Sequence, residues 1–362
     1  MELTEKWTTE RVWEWYRQIP WIRGYSGLPS NCVNGIALWQ EYGHEAVFKR
    51  LEQEFRIARE TGLNAVSVCV EFAVWDAQHD SFFRNLEDYL ALAHRHGLWV
   101  MLTLGNDRTA IRSEAVSFGK QTPDSGYYSG MQSRQSAWDL AEKETLLFDD
   151  PDLLARYVQM VTELAARYGQ DPRLLLWNVW DGIWNFRSVG QILPVVEQSF
   201  AILRKQGVCQ PLTASVRFPQ TEADDTAQNR VLALSDVIAF HCYDSYLRAV
   251  PLFARLKQYH RPLFCTEWLN RCAGNDVEHL LPLFWLEKIG SFHEGLMQGF
   301  LQTYQPIADS YVRAFTETDF PFTRWQHPLY RFNGLPYEPK EIEVFRRFAG
   351  LSDDLSKLTR TP

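Results

Sequence analysis

Eight times along this chain a short apolar run gives way to a stretch with helical spacing, and no linker rich in Pro and Gly breaks the series. Apolar runs undiluted by alternating polar positions belong to strands covered on both faces, the condition of a parallel sheet. The runs fall at residues 31–37, 64–70, 98–104, 173–179, 211–216, 237–240, 262–265 and 290–300. Helical periods follow at 46–60, 82–96, 150–168, 189–205, 226–235, 246–259, 277–288 and 338–348. In the first of these Val47, Leu51, Phe55 and Ala58 share a face, and Gly62 closes it. Asp150 followed by Pro151 gives the third an N-cap and a first-turn proline.

Eight strand–helix units in 362 residues predict an α/β fold, a closed (β/α)8 TIM barrel, as a single domain over residues 1–362. A doubly wound open sheet is the alternative. No Gly-x-Gly-x-x-Gly follows any run and no Walker loop occurs, which weakens its nucleotide-binding form. One long segment, 105–149 after the third strand, is rich in Gly, Ser and aromatic residues. Segments of this length in compact enzymes are usually functional lids or disordered.

A net charge of −8 without any basic block argues against nucleic acid and against an anionic membrane as partner. No run of 18 apolar residues is present to span a bilayer. The opening residues carry acid and no apolar stretch, so no secretory leader is read there. The six cysteines are scattered, several inside apolar runs, and read as buried thiols rather than a disulfide framework. The expected compartment is the cytoplasm, and self-association is left open. The 14 Trp, 15 Tyr and 22 Phe serve either a large core or flat platforms for sugar rings.

Chemistry in such a barrel sits at the carboxyl ends of the strands. The predicted strand ends carry Glu71 and Trp75, then Asn106 and Asp107, then Trp180, Asp181 and Trp184. Later ends carry His241 and Tyr243, Glu267 and Trp268, and His293 and Glu294. Glycosidic cleavage needs one group to protonate the leaving oxygen and a second to attack C1 or activate water. Two neighbouring carboxylates split their pKa values, so that one holds a proton near neutrality. Plainer roles compete: Glu267 as a helix cap or an Arg partner, His241 as a structural histidine, Asp181 as a turn residue before Gly182, and the tryptophans as core. His241, Glu267 and His293 have zinc-ligand chemistry, but no His-Glu-x-x-His or Cys-x-x-Cys is present, so neither a metal nor a cofactor is expected.

Several segments, in order, are similar to one known family. They are Leu28-Pro29-Ser30-Asn31-Cys32-Val33-Asn34 with Trp39-Gln40, the pair Asn106-Asp107, and Gly126-Tyr127-Tyr128-Ser129-Gly130. Phe240-His241-Cys242-Tyr243-Asp244, the stretch Arg261 to Trp268, and Trp325 to Tyr337 complete the set. Over roughly residues 10–350 the chain resembles the bacterial cellulase-like members of glycoside hydrolase family 5, (β/α)8 proteins of the large retaining clan. The resemblance implies a nucleophile at Glu267, supported by His241 and Tyr243. It implies carbohydrate contacts from Trp39, Glu71, Trp75, Asn106, Asp107, Trp180, Trp184, Trp268 and His293.

Four positions depart from the family pattern. Asp181 stands at the asparagine before the acid/base glutamate, and Gly182 at the glutamate itself. The strand-two arginine is Ser67, and the strand-eight tryptophan is Glu294. The resemblance therefore implies a glycosidase with a non-standard acid/base, Asp181 being favoured slightly over Glu294, or else an inactive carbohydrate-binding barrel. Exo action on a small glycoside or oligosaccharide is expected if 105–149 closes one end of the cleft.

Overall fold

The structure is a computed structural model, and it describes residues 6–106, 113–122, 150–182, 189–216, 222–305 and 324–350. Its centre is an eight-stranded sheet whose pairings are parallel. The strands are β1 (Arg23–Ser26), β2 (Ala65–Cys69), β3 (Trp99–Thr103), β4 (Leu174–Asp181), β5 (Leu212–Ser215), β6 (Ile238–His241), β7 (Leu263–Glu267) and β8 (Gly290–Glu294). They run in the order β5-β4-β3-β2-β1-β8-β7-β6. The seam between β5 and β6 is closed by Val216, which donates to Ala239 and accepts from His241. The sheet is thus a (β/α)8 barrel.

Around it lie α1 (Thr9–Gln18), α2 (Gly35–Trp39), α3 (His44–Thr61), α4 (Phe72–Ala77), α5 (His79–Arg95) and α6 (Pro151–Tyr168). They are followed by α7 (Val189–Lys205), α8 (Glu222–Leu234), α9 (Tyr246–Lys257), α10 (Val277–Leu286) and α11 (Pro339–Phe348). Asp150 caps α6 by accepting from the backbone N–H groups of Asp152 and Leu153, with Pro151 in the first turn. Gly62 ends α3 in the left-handed conformation.

The first expected strand is misplaced. Residues 35–39 form α2, because the Asn34 side chain accepts from the Ala37 N–H and starts a helical turn. The strand is instead the short Arg23–Ser26, whose polar letters hide it. A Cβ on Gly24 would lie 2.4 Å from the Phe292 ring, so β1 approaches β8 only through a glycine. The last strand stops at Glu294, where Gly295 turns into the left-handed region, rather than running on to 300. The amino-terminal helix α1 was also not expected. Its Val12 and Tyr16 pack with Trp7 against Ile22, Met101, Leu176, Phe264 and Phe292, forming an apolar floor for the barrel. Among the described residues no helix is long and apolar enough to cross a membrane.

Candidate active site

Above that floor the barrel interior turns polar. The Asn178 amide donates to the Ser215 hydroxyl at 3.0 Å and to the Thr103 hydroxyl at 3.3 Å, and its carbonyl accepts from the Ser215 N–H at 3.1 Å. Ser215 in turn pairs with Thr266 at 3.0 Å. These buried side chains satisfy one another, as buried polar groups must. The layer joins β3, β4, β5 and β7 into one rigid support. It was legible only as small polar letters inside otherwise apolar runs.

Two bulges then aim the functional side chains. Between Asn178 and Asp181 the β4–β5 register slips, and between Phe240 and His241 the β6–β7 register slips. An extra residue on one strand re-aims the side chain after it, which is why bulges gather beside active sites. On β4 both Asn178 and Asp181 turn toward the barrel axis while Trp180 packs outward against Tyr157. On β7 the slip sets Glu267 opposite His241.

The result is a chain of charges across the mouth. His241 Nε2 lies 3.0 Å from an Asp181 oxygen, and His241 Nδ1 lies 3.1 Å from Glu267 Oε2. The Tyr243 hydroxyl donates to the same Glu267 oxygen at 2.9 Å. The Glu267 side chain keeps 23% of its surface exposed, against 9% for His241. An oxygen from each carboxylate and a ring nitrogen all fall within 4.8 Å of one another. That spacing would suit a metal ion. Both imidazole nitrogens, however, already face carboxylate oxygens, so the trio as built is an ion-pair chain. Two carboxylates this close repel by roughly 3 kcal/mol at an effective dielectric of about 20, and an imidazolium between them cancels that.

The charge states follow from this geometry. Burial acts to lower the His241 value, but the charges of Glu267, Asp181 and Glu294 outweigh it and raise it to about 9. Burial alone would push Asp181 up, yet the His241 charge and hydrogen bonds from His241, Ser215 and Asn178 hold it below its ordinary value. Asp181 is therefore an anion at neutral pH. Glu71 is the opposite case: buried beside Gly35, it is pushed well above the carboxylate range by desolvation.

The remaining candidates divide by burial. Glu294 is half-buried at the mouth end of β8, with its backbone N–H on the Trp268 carbonyl. It borders a small cavity of about 10 Å³, room for one water, between residues 27–30 and 294–303. Asn106 bridges to Asp181 through the backbone. Trp39, Trp75, Trp180 and Trp268 are each 3% exposed or less and pack in the core. Trp39 lies against Phe82 and Tyr89, and Trp268 against Phe284 and Phe345, so these rings present no free face as platforms. His293 is fully buried between Tyr25, Trp268 and Phe345, on the outer face of β8. Asp107, Trp184 and residues 126–130 lie outside the described residues. The sequence reading missed His327. It is buried, bonds the Leu269 carbonyl at 2.6 Å, and sets its ring 5.5 Å from that of Tyr243.

No family model and no curated protein matches the chain. Solved structures do. A glycoside hydrolase family 5 mannosidase from Rhizomucor miehei superposes with a TM-score of 0.56 at 15% identity, covering 91% of this chain and 92% of that one. An endo-β-1,4-mannanase from Thermotoga petrophila gives 0.58 at 12% identity, covering 92% and 77%. A family 5, subfamily 18 protein from Streptomyces cattleya, solved with GlcNAc, gives 0.56 at 14% identity, covering 95% and 82%. The chain has the (β/α)8 fold of the family 5 glycosidases.

Proposed function

We propose that this family-5-like barrel is a glycoside hydrolase acting on a small glycoside or oligosaccharide by a retaining route, with Glu267 as nucleophile. The observation that carries the reading is the setting of Glu267 at the strand-seven mouth. One of its oxygens is held by Tyr243 and His241. A strand-end carboxylate oriented by a phenol and an imidazole is positioned for attack on C1. Solved structures of the same fold are described as mannosidase, mannanase and β-glucosidase, which supports a carbohydrate substrate.

The acid/base role falls to Glu294 in this reading. Asp181 lies at a separation compatible with the roughly 5 to 5.5 Å of retaining pairs, but the imidazole beside it disfavours its protonation. Glu294 ends β8, the strand paired with that of Glu267, and is half-buried at the same mouth. Exo action is supported by residues 113–122. The Ser113 hydroxyl donates to Asp76, the Gln40 amide donates to Gly119, and Asn34 bonds Gln121. These contacts pin part of the segment after β3 to the loops after β1 and β2, on one side of the mouth.

A second reading, an inactive carbohydrate-binding barrel, is favoured by Gly182, which stands in the left-handed region and offers no side chain. Aryl glycosides tested with wild type, Glu267→Gln and Glu294→Gln separate the two. Hydrolysis lost in Glu267→Gln, and restored by azide in an alanine variant of one of these carboxylates, is expected. Sugar binding without turnover in wild type would overturn the enzyme reading. The anomer formed first, followed by NMR, tests retention.

A further inference from the structure

The residue that the family pattern would make a neutral asparagine is here an aspartate, and its partner is the histidine that touches the proposed nucleophile. An asparagine would accept the same hydrogen bond without bringing charge. The side chain at the strand-two position, Ser67, is buried and brings none either. His241 is the side chain of this trio that can place a positive charge against Glu267.

We propose that Asp181 is not a proton donor but a fixed anion that keeps His241 protonated, so that the imidazolium held between Asp181 and Glu267 places a positive charge beside the nucleophile. Asp181 is thus a positioning residue, acting through His241. The role of the charge rests on Glu267 being the nucleophile, whereas the ion-pair chain itself does not.

The geometry fits in three respects. His241 Nε2 hydrogen-bonds Asp181 at 3.0 Å and Nδ1 lies 3.1 Å from Glu267 Oε2, so both sides of the ring face a carboxylate, which favours the charged form. Asp181 also lies 3.5 Å from the Asn178 amide, so moving it toward a substrate gives up its contacts with both Asn178 and His241. The β4 bulge that aims Asp181 inward serves this contact. The groups facing the ring are Asp181 from β4, Glu267 from β7, Glu294 from β8, and Tyr243 from the segment after β6. Among these Asp181 and Glu267, in contact with the ring, favour its protonated form and raise its value to about 9 against burial.

The experiment is a side-chain nitrogen NMR titration of the intact protein, with His241 assigned by its loss in His241→Gln. In wild type the ring is expected to stay protonated past pH 8. In Asp181→Asn the midpoint is expected to fall by at least one pH unit. Asp181→Glu, which keeps the charge, is expected to restore most of the shift. In parallel, the alkaline limb of kcat/KM on an aryl glycoside is expected to move down with the His241 midpoint in Asp181→Asn, and KM to change less than kcat. A wild-type ring titrating at or below pH 6.5 overturns the proposal, and that result needs no variant to fold. A midpoint unmoved in folded Asp181→Asn overturns it equally. Absence of turnover with the titration as expected would instead refute the hydrolase reading and leave the ion-pair chain standing.

Discussion

Replacing His293 by phenylalanine should remove a defined share of the pH dependence of stability. The ring is fully buried, stacked on Tyr25 at 6.1 Å with Phe345 at 5.5 Å, and neither of its nitrogens has a hydrogen-bond partner among the described residues. Burial first, and then the charge of Arg271, push its value down to about 3. The folded chain therefore refuses a proton that the unfolded chain accepts near 6.5. Stability from this residue is complete above about pH 6.5 and falls as pH drops through that value, until the folded ring protonates near 3. Integrated from pH 7 to pH 5, the loss is about 2 kcal/mol, a large part of the roughly 5 to 15 kcal/mol of a typical fold. His327, also held down to about 3 chiefly by burial, acts in the same direction, while Glu71 and His241 act in the opposite one. Phenylalanine has nearly the same shape and does not titrate. Urea unfolding at pH 7 and pH 5, compared between wild type and His293→Phe, isolates its share from the others. The variant should match or exceed wild type at pH 7 and lose about 2 kcal/mol less on going to pH 5. Equal losses within about 0.5 kcal/mol would show that the ring is not a buried neutral histidine.

Two other substitutions test how the mouth is held. Glu341→Gln leaves Arg271 buried without its bidentate partner, at 2.8 and 2.5 Å, and should cost about 3–5 kcal/mol in urea unfolding. Because Arg271 also bonds the Gln326 and Pro328 carbonyls, which flank His327, turnover should fall with stability; a loss below about 1 kcal/mol would contradict a structural pair there. Gly182→Glu restores the letter expected of the family at a backbone with φ +81, so it should cost about 1–2 kcal/mol and give no gain in aryl glycoside hydrolysis. A tenfold gain in that rate would show that a side chain at 182 reaches the reacting atoms.

The sequence by itself determined the barrel. Undiluted apolar runs require cover on both faces, and seven of the eight expected ones are strands of the closed sheet. It also located His241 and Glu267 at strand ends and Tyr243 just beyond one, because each stands within three residues of a run. Its failures have one cause. Arg23–Ser26 became a strand through its glycine's contact with β8, and residues 35–39 became a helix through the Asn34 cap, neither of which shows in periodicity. Trp39, Trp180 and Trp268 went to the core although their letters suit a sugar platform equally well. Above all, the pairing of Asp181 with His241 depends on register slips in strands separated by 60 residues of chain. A bulge is set by how neighbouring strands hydrogen-bond, not by the residue that bulges. Which carboxylate holds its proton therefore follows from the assembled mouth of the barrel, where distance and burial decide the charges.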